Sequence, residues 1–562
     1  MRRWLWVSAV MAVFVGTSFI VLVSLAGSKP SVVAPRKAQS PHTITVTPWG
    51  PDQATIDETK SRLFRSPAVQ RYLAGKNSRM LSFDFVESGV KGGKPEPPSR
   101  YRATFFNYTS NKEIVATGRF SDPITEVSAS TEQPVPSPEE FEAAVAVVSK
   151  DPSLGPAIRD GLLEPYPAMP PLVDINLPTS KAERTLTVGL LPKDGKGSNE
   201  VVGVNMIRES VVRYEGGAPT TSYAIQLNCG VASAGQSTTS AGTAGQFQVV
   251  ISRGSDELWQ FLCIRPSASS GSNRSGIELR DVKFRGKLVL ARANAPILNV
   301  QYYRNQCGPF RDWSWQEGMF VANGNDVPGT NGGIRMCTEE PQTVLDNATD
   351  TGNFRGVAIY DREEVTLVSE LNAGWYRYIS KWIFHDEGII SPRFGYGATT
   401  NSCVCQGHVH HVYWRFDFDL GTAANNSPGE VTQGVLKPIG AEEMRPRVFS
   451  DQFWVVTNGV SGETVNIRPG PLDGNYDKYG QGDLWFLRNH FPNEIDDSAQ
   501  TSIPGCSTCA RLNPMLNSET LTNQDIVVWY GAHWMHDHFD GPQPLHGDGP
   551  NVHGPDLILV KY

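Results

Sequence analysis

His408-Val409-His410-His411-Val412-Tyr413-Trp414-Arg415-Phe416-Asp417 is the stretch from which the rest of the chain can be read. Its β-branched and aromatic residues favour a pleated strand. A strand turns successive side chains to opposite faces, so His408 and His410 project together while Val409 and His411 point the other way. Two imidazoles one residue apart can chelate a single ion. Neutral ring nitrogens suit copper, zinc, iron or nickel. A His-x-His triplet also occurs on solvated strands, so the surrounding sequence has to decide.

Working outward, short Val-, Ile-, Phe- and Trp-rich segments separated by Gly, Asn, Ser and Pro loops run to Tyr562. That pattern predicts a mainly β protein whose larger part, residues 191–562, is a big antiparallel β-sandwich. Ahead of it, residues 53–165 read as a small α+β domain. Ala54–Leu73 has helical spacing, and alternating segments follow around Leu81–Val86, Tyr101–Tyr108, Glu113–Phe120 and Ile124–Ser128. Pro136-Ser137-Pro138-Glu139-Glu140-Phe141 then opens a helix through Val148, with Ser137 as N-cap and acids in the first turn. Residues 28–52 and 166–190 read as linkers by composition, the second led in by Glu164-Pro165-Tyr166-Pro167. Ser233–Ala244 is a low-complexity loop.

Met1-Arg2-Arg3 precedes an apolar run from Trp4 to Ala26, so residues 1–27 read as a signal anchor or signal peptide. Ser24-Leu25-Ala26 also fits a cleavage site. Either reading makes the rest of the chain extracytoplasmic, attached to a membrane through the N-terminal segment at most. The eight cysteines then tend toward disulfides. A rival remains open: Cys403 and Cys405 with His408 and His410 form a soft ligand set for zinc or Cu(I), and Cys506-Ser507-Thr508-Cys509 could likewise be a ligand pair, although no second CxxC completes a zinc pattern. A net charge of −8 with no basic run argues against nucleic acid as a partner.

Around the first stretch, the order His408, His410, Tyr413, Arg415, Asp417 resembles the copper-ligand strand of the topaquinone-dependent copper amine oxidases. Asp525-Ile526-Val527-Val528-Trp529 is similar to the family's Asp-Val-Val-Trp strand, whose third histidine comes seven residues after the tryptophan and matches His536. His533 and His538 compete for that place. Gly276–Tyr302 resembles the strand pair leading into the active site, with Tyr302 at the place of a tyrosine that hydrogen-bonds the quinone. Phe310-Arg311-Asp312 puts Asp312 at the catalytic carboxylate, although the family's following glycine is missing. The small α+β domain resembles a single copy of the family's N-terminal domain, and Cys337 resembles one of its half-cystines, with Cys307 as a possible partner.

The family makes its quinone from the tyrosine of an Asn-Tyr-Asp/Glu motif. Asn475-Tyr476-Asp477 matches those letters, but it follows the histidine strand and lies in a Pro/Gly/Asp loop. Gly374-Trp375-Tyr376-Arg377-Tyr378 precedes the histidine strand with the family's tyrosine, tryptophan and glycine spacing, so Tyr376 is the candidate. There the expected Asn is Trp375 and the expected acid is Arg377. The resemblance implies copper held by His408, His410 and His536, topaquinone from Tyr376, and a homodimer. Its reaction would convert small primary amines and oxygen to aldehyde, ammonia and hydrogen peroxide, with Asp312 as general base and Tyr302 beside the quinone. Trp375 and Arg377 keep a second reading in play, a copper-binding relative with impaired turnover that acts in binding or adhesion. His546 and His553, in Gly/Pro sequence, are expected to be solvated.

Overall fold

A computed structural model describes residues 41–88, 91, 96–122, 125–172, 183–192, 200–213, 229–234, 245–302, 310–475, 482–496, 512–536 and 552–562. The apolar N-terminal run, Cys307, Tyr476, Cys506, Cys509, His538, His546 and most of the 233–244 loop lie outside them. Among the described residues no helix is long and apolar enough to cross a membrane.

Among the described residues two large sheets dominate. One has ten strands and contains, side by side, Glu278–Phe284, Lys287–Tyr302, His408–Phe418, Ile526–His536 and Leu484–Arg488. The other has twelve and contains Val365–Ala373, Tyr376–His385 and Ile389–Ala398. Among the described residues the strands pair antiparallel apart from Ile334–Cys337 against Val357–Asp361, with one further parallel bridge between Val231 and Thr399. Their inner faces share one apolar core: Trp259, Phe261, Phe284 and Leu279 of the first sheet meet Phe384, Trp382 and Leu367 of the second. Phe261 and Phe384 stack at 4.4 Å between ring centroids. Each fully buried side chain of this size contributes about 1.5–3 kcal/mol. The expected antiparallel sandwich is therefore present.

Two four-stranded sheets come before it in the chain. The first, Ser78–Ser88, Glu96–Asn107, Lys112–Arg119 and Thr125–Ser130, carries helices Gln53–Arg65 and Pro67–Leu73. Helical spacing predicted one helix there. Pro67, which cannot donate to the preceding turn, starts a second helix after Ser66. Helix Pro138–Val148 starts where the sequence places it, with Ser137 Oγ accepting from Glu140 N at 3.1 Å. Phe141, Ala144 and Val148 of this helix pack on Leu186, Val188 and Leu190 of the second small sheet.

Both segments read as linkers contain strands. His42–Pro48 adds to the edge of the ten-stranded sheet against Gln246–Arg253. Leu163–Leu172 and Thr185–Pro192 pair in the second small sheet. Leu163–Leu172 is an edge strand, the position in a sheet where proline is tolerated.

The first small sheet is tied to the ten-stranded sheet by charge. Glu87 pairs with Arg280 at 2.8 Å and with Arg292. Lys91 reaches Asp417 at 2.6 Å, Asp419 at 3.2 Å and Asp525. Burial works against the Lys91 charge, but the three carboxylates outweigh it and hold its pKa above the ordinary lysine value.

Candidate metal centre

Strand parity and register build the centre. His408–Phe418 pairs with Ile526–His536 so that His408 faces His536, His410 faces Trp534 and His411 faces His533. His408, His410 and His536 share one face, each offering a nitrogen within 4.8 Å of the others, and all are buried. His536 Nδ1 lies 3.0 Å from His408 Nε2. His533 is on the opposite face, so the register brings His536 rather than His533 to the cluster.

The nitrogens are poised as lone-pair donors. His408 Nδ1 donates to the carbonyl of Gln406, which leaves Nε2 as the free lone pair. His410 Nε2 is buried and has no hydrogen-bond partner among the described residues. Burial, and then the neighbouring His536, push the His408 pKa down to about 3. Burial and then His408 push that of His410 well below the usual imidazole range. Both rings are therefore neutral near pH 7, the form that binds a metal. A buried imidazole nitrogen with no partner among the described residues, next to two more whose lone pairs converge, fits a copper-type ion.

Tyr376 begins a strand on the facing sheet, and its hydroxyl lies 2.6 Å from His408 Nε2. Tyr302 donates to the Tyr376 hydroxyl at 3.3 Å, and the Trp375 indole donates to the Tyr302 hydroxyl at 2.8 Å. Burial raises the phenol pKa of Tyr376 well above its ordinary value, and Tyr302 adds to the shift. Arg377 turns away from this chain of contacts. Its guanidinium makes a two-pronged buried pair with Asp350, at 2.5 and 2.9 Å.

Asp312 lies on a short strand paired with Lys287–Tyr302 and is 6 % exposed. Burial pushes its carboxyl up to about 7, and the hydroxyl of Tyr378, which donates to it, opposes that rise. It is thus a buried acid rather than a surface partner of Arg311. A small cavity of about 10 Å³ is lined by Asp312, Tyr376, Trp375, Trp313, Val300 and, from the second small sheet, Tyr166, among others. Asp312 and Tyr376 therefore face one mostly apolar space.

Sequence reading missed several neighbours. Tyr378 is two residues past Tyr376, so strand period two was a usable signal for it. Tyr396 stacks on His410 at 3.8 Å and is the cross-strand partner of Tyr378, which requires the hairpin register to see. His553, expected in solvent, is 2 % exposed and stacks on Trp534 at 4.0 Å. It lies on a two-residue strand against Phe394, which removes it from water.

The thiolate alternative is removed by covalent chemistry. Cys405 is bonded to Cys229, and Cys403 is also in a disulfide, so neither offers a thiolate beside the histidines. Cys337, expected as a half-cystine, is a free thiol.

No protein-family model matches the sequence, and no curated protein matches it significantly. Solved structures do resemble it. A copper-containing benzylamine oxidase from Hansenula polymorpha superposes with a TM-score of 0.55 at 12% identity, over 91% of this chain and 97% of that one. An amine oxidase from Aspergillus nidulans gives 0.55 at 13% identity, over 93% and 90%. A lysyl oxidase from Pichia pastoris gives 0.56 at 11% identity, over 92% and 90%. These likenesses span nearly the whole of both chains, and the fold of this protein is that of the copper amine oxidases.

Proposed function

We propose that this chain is a copper- and topaquinone-dependent oxidase of small primary amines. The observation that carries the reading is the Tyr376 hydroxyl, 2.6 Å from His408 Nε2 within the cluster of three histidines, on the same cavity as Asp312. His408, His410 and His536 would hold the copper. Bound there, copper with oxygen supplies the oxidation that turns a tyrosine ring into a quinone, an electron sink for amine carbons.

The chain's own residues do the rest. Asp312 takes the proton from the carbon next to nitrogen, and a carboxyl pushed up to about 7 suits a base working near neutral pH. Tyr378 orients that carboxyl, and Tyr302, itself held by Trp375, holds the Tyr376 oxygen. Val300, Trp313, Ala373 and Tyr166 give the cavity apolar walls that exclude water. Trp375 occupies the place of the family's Asn but supplies a hydrogen-bond donor. Arg377, neutralised by Asp350, puts no free charge on the ring. Oxygen is the second substrate, and aldehyde, ammonia and hydrogen peroxide are the products. The Cys229–Cys405 disulfide supports an extracytoplasmic site of action. A homodimer, and an N-terminal domain preceding a catalytic domain, belong to the same proposal.

The test is the mass of the Tyr376 peptide, with peroxide release measured alongside, after expression with copper and air. A modified Tyr376 and amine-dependent peroxide are expected. Copper-loaded, aerated protein with an unmodified Tyr376 and no peroxide from any amine would favour a binding protein instead.

A further inference from the structure

Four aromatic rings run from the histidine cluster toward the last strands of the chain. Tyr396 stacks on His410 at 3.8 Å between centroids and 26° between planes. Trp534 lies 5.5 Å from Tyr396, again at 26°, and His553 stacks on Trp534 at 4.0 Å and 9°. Trp534 is also nearly parallel to His410, at 5.9 Å and 18°. Tyr396 meets a second histidine of the cluster edge-on, His536 at 5.4 Å and 71°. All four stacked rings are at most 6 % exposed. Tyr396 comes from Ile389–Ala398 of the twelve-stranded sheet, whereas His410 and Trp534 face each other on the ten-stranded sheet, so the stack joins the two sheets at the metal centre.

The two histidines of the His408–Phe418 strand are held in different ways. A ligating imidazole ordinarily donates its second N–H to a fixed acceptor, which sets both the tautomer and the plane of the ring. His408 does so through the carbonyl of Gln406. For His410 the corresponding contact is the Tyr378 hydroxyl, 3.4 Å from Nδ1, and a hydrogen bond of that length is weak. The single O–H of Tyr378 is already donated to Asp312, so toward His410 its oxygen can only accept. That leaves Nε2 as the lone pair but sets the ring plane loosely, and the outer torsion of histidine has no sharp preference of its own. A ring lying face to face on the imidazole supplies the missing constraint, because turning His410 about its Cβ–Cγ bond would drive one edge of it into Tyr396.

We propose that Tyr396 is a positioning residue of the metal centre: its ring, backed by Trp534 and His553, fixes the plane of His410 and so the aim of His410 Nε2. This rests on the reading of the three histidines as copper ligands. The ring performs the task and the hydroxyl is dispensable for it. Trp534 keeps Tyr396 from yielding, and His553 does the same for Trp534, which gives the buried His553 a use although it is no ligand.

Copper(II) titration of the full chain, with electron paramagnetic resonance spectra of the loaded protein, tests this. Parent and Tyr396→Phe should share one copper affinity and one copper hyperfine pattern. Tyr396→Leu, which removes the ring, should bind copper about 10–100-fold more weakly and show a shifted or heterogeneous pattern. Trp534→Leu leaves Tyr396 in place without its backing and should shift the pattern less. Phe384→Leu takes a stacked ring from the core away from the cluster, and it should lower the melting temperature without touching the copper spectrum, which separates lost positioning from lost stability. A parent that takes up no copper would overturn the copper reading and this proposal together. Copper-loaded parent beside a folded Tyr396→Leu or Trp534→Leu with the same affinity and spectrum would overturn the positioning role alone, and a changed spectrum in Tyr396→Phe would overturn the part given to the ring.

Discussion

The two faces of the strand pair His408–Phe418 and Ile526–His536 both carry buried histidines, yet only one face presents a ligand set. On one side stand His408, His410 and His536; on the other, His411 and His533, and all five are at most 3 % exposed. His411 Nδ1 and His533 Nδ1 are 2.8 Å apart, His533 Nε2 donates to Gly482 O at 3.0 Å, and Asp483 lies 3.3 Å away. There His533 has a contact at each ring nitrogen, and His411 is tied to it through Nδ1. Across the strand, His410 Nε2 has no partner among the described residues, and His408 Nε2 turns toward His536 and Tyr376. Burial alone therefore does not make a metal centre. What counts is convergence of lone pairs that the protein leaves available.

The sharpest way to break this contrast is to exchange which face is damaged. His408→Ala, His410→Ala and His536→Ala should each lose most of the bound copper, measured by metal analysis. His411→Ala and His533→Ala should keep it. Copper lost from the His533 variant but kept by the His536 variant would reverse the assignment of faces. Next, Tyr376→Phe should abolish the visible quinone absorbance and phenylhydrazine labelling, while Tyr476→Phe leaves both in place.

A smaller effect is expected across the cavity. Asp312→Asn should slow proton abstraction by about 10²–10⁴-fold while cofactor formation continues, read by single-turnover kinetics. Since the base must be ionised, kcat/KM of the parent should rise with pH through about 7 and level off above it. The linked stability runs the other way. A carboxyl whose folded pKa is raised binds its proton more tightly when folded, so stability falls as pH rises from the unfolded value of about 4 to about 7. Asp312→Asn should therefore gain stability relative to the parent at pH 8 but not at pH 4, as denaturant midpoints would show.

The smallest change concerns the residues beside Tyr376. Trp375→Asn with Arg377→Asp restores the letters of the family motif and, on sequence alone, is expected to raise amine turnover. The structure revises that expectation. Arg377→Asp would set a second buried carboxylate against Asp350, and removing one member of a buried pair costs about 3–5 kcal/mol. Thermal unfolding should show both variants below the parent, Arg377→Asp through an unpaired buried charge and Trp375→Asn through the loss of a buried ring, so turnover is compared per folded protein.

Much of the centre was legible because strands impose parity. The shared face of His408 and His410 follows from period two, whereas His536 was reached through the family resemblance, by its place seven residues after Trp529. Helix Pro138–Val148 was legible from its cap and first turn, which are local signals. Features set by distant pairing were not. Tyr396 depends on the hairpin register, and the fates of Cys337, Cys403 and Cys405 depend on which chains meet. The strand His42–Pro48 did leave a trace, since Ile44 and Val46 alternate with threonines, but the Pro- and Ser-rich residues before it masked the pattern.

Lys91 gives the molecule an order of assembly. Asp417, at the end of the copper-side strand, lies in a nest with Asp419 and Asp525, and the Lys91 ammonium comes from the hairpin of a sheet made much earlier in the chain. Even with that ammonium present, burial pushes Asp419 up to about 7. Without it, the carboxylates would repel one another at the base of the strand pair that carries the histidines. A chain emerging from the ribosome has Lys91 in hand before any of these acids appears, so the early module can act as a mould for the late one. A chain begun after the first small sheet would have to fold the sandwich with that nest unneutralised, and it should accumulate as insoluble material rather than as a smaller folded protein.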